Sequence, residues 1–78
     1  MSKVMTTPRP KFKALRELKG TQRFVALELG ITETHLRELE RGRSVPGTRL
    51  LKRIEHYLEA PDEDLFPDLH MPEFYLKD

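Results

Sequence analysis

Apolar side chains recur along this chain at intervals of three and four, in short bursts set apart by glycine or proline, and each burst predicts one short helix. In "KFKALRELK", Phe12, Leu15 and Leu18 form an apolar face with lysine and arginine opposite; Pro10 suits the first helical position, where an N–H would lack a partner anyway. Gly20 stops this helix. Thr21 can cap a second one, with Val25, Ala26 and Leu29 on one side, and Gly30 ends it by reaching the left-handed conformation without a Cβ clash. Thr32 caps a third helix whose inward stripe is Leu36 and Leu39, with Ile31 just ahead of the cap, and Gly42 closes it. After the turn "SVPG" comes a fourth helix carrying Leu51, Ile54 and Leu58. Pro61 opens a fifth turn, "PDEDLF", whose acids suit the positive end of a helix dipole and whose Leu65 and Phe66 close the core. The pattern predicts an all-α fold of four to five short helices, with helix, glycine turn and helix at its centre.

The ends of the chain break this rhythm. Residues 1–9 have no period and include Pro8, which predicts a flexible basic arm ahead of a domain spanning 10–66. Residues 67–78 form a tail that is acidic, broken by Pro67 and Pro72, and yet rich in Leu69, Met71, Phe74, Tyr75 and Leu76, too apolar for a simple disordered segment. At 78 residues the domain buries only a modest share of its surface, so nearly every periodic apolar side chain is needed in the core.

The net charge of +1 hides an asymmetry. Residues 1–56 hold thirteen Lys or Arg against six Asp or Glu, whereas residues 57–78 hold one against seven. A basic body suits a polyanion, and an acidic tail suits solubility, autoinhibition or a basic partner; chance segregation of solvated charge is the plainer alternative. There is no cysteine, which excludes a disulfide framework, a thiolate metal site and a cysteine nucleophile. The longest apolar run, Phe24 to Leu27, is far too short for a membrane span, so a soluble cytoplasmic protein is expected. His35, His56 and His70 are dispersed, Ser2 and Ser44 are the only serines, and no metal-ligand spacing occurs; the sequence therefore predicts no enzyme, no metal and no cofactor.

The segment "TQRFVALELGITETHLRELERGRSVP" followed by "LLKRIEHYLEAPDEDLF" resembles the Cro/repressor class of helix-turn-helix regulators, the lambda-repressor-like or XRE family, over about Phe12 to Phe66. The shared features are Thr21-Gln22, Ala26, Gly30, Ile31, Glu40-Arg41-Gly42-Arg43, Pro46 and Leu65-Phe66. Their residue types have physical reasons of their own. Ala26 is small enough for the third helix to pass close, and Ile31 with Leu36 fixes the angle between the helices. The resemblance also implies a buried ion pair between Arg16 and Glu40.

In such proteins the third helix enters the major groove of double-stranded DNA. The resemblance puts Glu33, Thr34, His35, Arg37 and Glu38 at base edges, Gln22 and Arg43 at phosphates together with amides after Gly42, and Arg41 and Lys19 as further phosphate ligands. Glu33 could accept from cytosine N4 while Arg37 donates to guanine, or Glu33 could simply favour its helix dipole and Glu38 pair with a neighbouring arginine.

Three departures stand out: a short connection at Lys19-Gly20-Thr21, the apolar Phe24 and Leu27 at usually polar positions of the second helix, and the apolar tail. Leu69, Met71, Phe74, Tyr75 or Leu76 could cover Phe24 and Leu27, in the same chain or in a dimer mate, or the patch could dock a second regulatory protein. The expected function is a transcriptional regulator, a repressor acting as a homodimer on a two-fold symmetric operator, and the resemblance together with the chain's size suits a phage or mobile-element switch or an antitoxin-like autoregulator. A protein-binding adaptor with weak DNA affinity is the alternative.

Overall fold

The computed structural model describes residues 8–70. The order is α1 (Pro10–Lys19), α2 (Gln22–Leu29), α3 (Glu33–Arg41), α4 (Thr48–Leu58), α5 (Asp62–Leu65) and a closing 3-10 turn, Pro67–His70. No strand occurs among the described residues, in agreement with the all-α expectation. Met71, Phe74, Tyr75 and Leu76 of the tail and residues 1–7 of the arm lie outside the described residues.

Local chemistry sets the helix ends. The Thr21 hydroxyl accepts from the Phe24 N–H at 3.1 Å and the Thr32 hydroxyl from the His35 N–H at 3.0 Å, so both helices of the motif start on a side-chain cap. Gly30 (φ 75°) and Gly42 (φ 77°) are left-handed. At the first turn Ile31 N–H donates to the Ala26 carbonyl and Gly30 N–H to Leu27; at the second Arg43 N–H donates to Glu38 and Gly42 N–H to Leu39. Each is a Schellman closure, which satisfies carbonyls that a helix end leaves without partners. α4 ends the same way, with Ala60 N–H on the Glu55 carbonyl, but its left-handed residue is Glu59 (φ 55°).

Phe12, Val25, Ala26, Leu29, Leu36, Leu39, Leu50, Ile54, Leu58, Leu65 and Phe66 form one buried core, with Phe12 edge-on to Phe66 at 5.2 Å between ring centroids. α2 packs on α3 and α4, while α1 lies against α2, α3 and α5. Ala26 is 2% exposed, in keeping with a small residue under a close helix.

Two core assignments differ from the sequence pattern. Leu18 is 82% exposed and does not belong to the inward face of α1. At about 100° per residue it falls roughly 120° from Phe12, whereas Arg16 falls about 40° away and takes the inward position instead. On α4 the buried series is Leu50, Ile54 and Leu58, spaced by four, and Leu51 is only partly buried at its margin.

Candidate nucleic-acid interface

The motif's geometry depends on Glu40, near the C-terminal end of α3. Arg16 Nε and Nη2 donate to the two carboxylate oxygens of Glu40, the second bond at 3.1 Å, and Nη1 donates to the Gly20 carbonyl at 3.0 Å. Both residues are buried, as the resemblance implied. The hydrogen bond to Glu40 raises the Arg16 pKa despite the opposing effect of burial, so the guanidinium stays charged at any working pH. Gln22 Nε2 joins the pair by donating to Glu40 Oε1 at 3.1 Å. The first residue of α2 is thereby oriented by α3, with one amide N–H and its carbonyl oxygen left for another partner.

Above this triad lies an open depression of about 360 Å³ lined by Pro8, Lys13, Gln22, Arg37, Glu40, Arg41 and Arg43. It gathers cations from α1, from α3 and from the turn after α3, while the one carboxylate on its wall is already paired with Arg16. Gln22, Arg41 and Arg43 of the expected phosphate set meet here. Lys19 does not; its ammonium lies 5.3 Å from the ring centre of Tyr57 on α4. Burial, and to a lesser degree the nearby Glu28, raise the Tyr57 pKa, so the phenol stays neutral. The expected clamp by amides after Gly42 is narrowed, because the Arg43 N–H is bonded to the Glu38 carbonyl.

Sequence reasoning missed Lys13. A signal was present: Lys13 stands three residues before Arg16, so a pairing of Arg16 with α3 turns the Lys13 side of α1 toward the same helix. It also missed Arg9, assigned to the arm. The Arg9 side chain is 1% exposed and donates to Asp68, Leu39 and Ser44.

Along α3, Glu33 and Thr34 are exposed, and His35, Arg37 and Glu38 are half-buried. Arg37 Nη2 lies 3.7 Å from Glu33 Oε2 and Arg41 Nη1 lies 4.0 Å from Glu38 Oε2. Each glutamate thus has an arginine one turn away on its own helix. Solvent-exposed pairs of this kind are worth well under about 1 kcal/mol, so they can exchange partners readily.

Phe24 is 49% exposed and Leu27 78%, so the described part of the chain leaves this pair largely uncovered. Leu69 packs against the core instead. No group of side chains that could hold a metal occurs among the described residues, and none of the described helices is long and apolar enough to cross a membrane.

No curated protein and no solved structure matched the chain in a search. A family model did: residues 12–65, from Phe12 to Leu65 and both in the core, match the helix-turn-helix family of Cro/C1 type, and the chain belongs to that family of DNA-binding transcription regulators.

Proposed function

We propose that this chain is a sequence-specific repressor that binds a two-fold symmetric operator as a homodimer, with α3 in the major groove. The observation that carries the reading is the cationic depression at the joint of α1, α2 and α3, beside α3, whose first two residues are exposed. A phosphate there would meet Gln22, Lys13, Arg41 and Arg43, all donors, while Glu33, Thr34, His35, Arg37 and Glu38 face base edges. The half-site pairing expected for so small a reader favours a dimer.

The two glutamates fit this reading because their arginines neutralise them in the free protein. At a site with the right C·G pair, Arg37 donates to guanine O6 and N7 and Glu33 accepts from cytosine N4. At a wrong site the glutamate meets phosphate without a donor, which lowers non-specific affinity.

Selection of bound duplexes from a random pool, followed by a salt titration of the winner, tests the proposal. A palindromic consensus with a steep salt slope is expected, as is a uniform loss of affinity in Arg43→Ala and a relaxed preference at one base pair in Glu33→Ala. Absence of enrichment at low salt with folded protein would overturn it. The second reading, a protein-binding adaptor, is favoured by the exposed Phe24 and Leu27; pull-down by wild type but not by Phe24→Ser/Leu27→Ser would then replace the first.

A further inference from the structure

Arg9 makes more specific contacts than any other side chain described. Its Nε donates to Asp68 Oδ1 at 2.9 Å and its Nη2 to Asp68 Oδ2 at 2.8 Å, a bidentate pair. Its Nη1 donates to two carbonyls, Leu39 and Ser44, both at 2.8 Å. The guanidinium lies 4.8 Å from the Phe66 ring centre, and the Arg9 backbone N–H donates to the Glu40 carbonyl at 3.1 Å.

The two carbonyls on Nη1 flank the turn that carries Arg41, Gly42 and Arg43. Leu39 is in the last turn of α3 and Ser44 follows Arg43, so one nitrogen bridges the segment from both sides. Lysine could not replace it, because only the planar fork presents two donors to the carbonyls and two more to a carboxylate in fixed directions. Asp68 in turn fixes the guanidinium. Arg41 and Arg43 both stand on the rim of the cationic depression.

We propose that Arg9, oriented by Asp68, is a positioning residue for DNA binding: it holds the turn after α3 so that Arg43 meets a phosphate, although neither Arg9 nor Asp68 touches DNA. The inference rests on the DNA-binding reading above, and it couples the segment around Asp68 to the recognition helix.

The test uses Asp68→Asn, which keeps the shape and removes the charge, in the full chain. Amide exchange reads the clasp without DNA: the Gly42 and Arg43 N–H groups should exchange about tenfold faster, while core amides of α2 and α4 change less. Affinity for the selected duplex should fall several-fold, with the salt slope shallower by about one, and Asp68→Asn added to Arg43→Ala should bring little further loss. Asp68→Glu, which keeps the charge and moves the carboxylate, takes its place if melting shows Asp68→Asn unfolded at the assay temperature. Unchanged exchange at Gly42 and Arg43 would overturn the clasp whatever DNA does. Faster exchange with full affinity, or losses that add to those of Arg43→Ala, would overturn the positioning role alone. A wild-type protein without salt-dependent DNA binding would overturn the DNA reading and the positioning role with it, while exchange still reports on the clasp.

Discussion

Two buried arginines fasten α3, and they do so differently. Arg16 pairs with the Glu40 side chain and ties α3 to α1 and, through Gln22, to the start of α2. Arg9 divides its donors between two backbone carbonyls, one in the last turn of the same helix and one just beyond it, and a carboxylate from the opposite end of the described chain. Glu40 takes part in both, accepting Arg16 on its side chain and the Arg9 amide on its carbonyl. The contrast separates two sets of ties: one arginine joins α3 to α1 and α2, the other spans the turn that leaves α3.

Removing each arginine breaks the comparison most directly. Arg9→Ala leaves Asp68 without its partner and removes a donor shared by two carbonyls, so a loss of about 4 kcal/mol is expected, the middle of the range for breaking a buried pair. Arg16→Ala should lose about 3 kcal/mol, because the Gln22 amide still donates to the stranded Glu40 carboxylate. Both are read by urea denaturation, and a larger loss for Arg16→Ala would reverse the ranking.

Gly20→Ala sharpens it by touching one clasp only. Gly20 has φ 152° and an added Cβ would stand 2.8 Å from Phe24 Cδ2, while its carbonyl accepts from Arg16. A destabilisation of about 1–2 kcal/mol is expected, with faster amide exchange at the α1–α2 turn and none at Gly42. Loosening at Gly42 as well would mean the two clasps are not separate. The smallest effect belongs to Glu59→Gly, remote from both: relief of a left-handed non-glycine residue should stabilise by about 1 kcal/mol in the same urea denaturation. Neutrality or loss there would show that the left-handed backbone of Glu59 carries no strain.

The motif was legible in the sequence because its signals are local. Thr21, Gly30, Thr32 and Gly42 each act within a few residues, and capping and left-handed turns follow from the residue type alone. Leu18 was misread because spacing by three from Phe12 and Leu15 drifts around the helix, and the inward place went to a charged residue that no apolar pattern reports. Arg9 was illegible for a stronger reason. A core arginine has no period, and its partner Asp68 is 59 positions away among acids that read as one solvated tail. Of the cationic depression, the resemblance supplied Gln22, Arg41 and Arg43, whereas Lys13 emerged only when α1 was seen against α3.

The span of the Arg9–Asp68 contact has a kinetic consequence. The bond closes a loop of 59 positions, the longest closed by any side-chain hydrogen bond among the described residues, so its formation costs the most chain entropy. A contact of such separation is expected to form after the folding transition state. Weakening it should leave the folding rate almost unchanged and speed unfolding, which makes the clasp a latch on the lifetime of the folded protein.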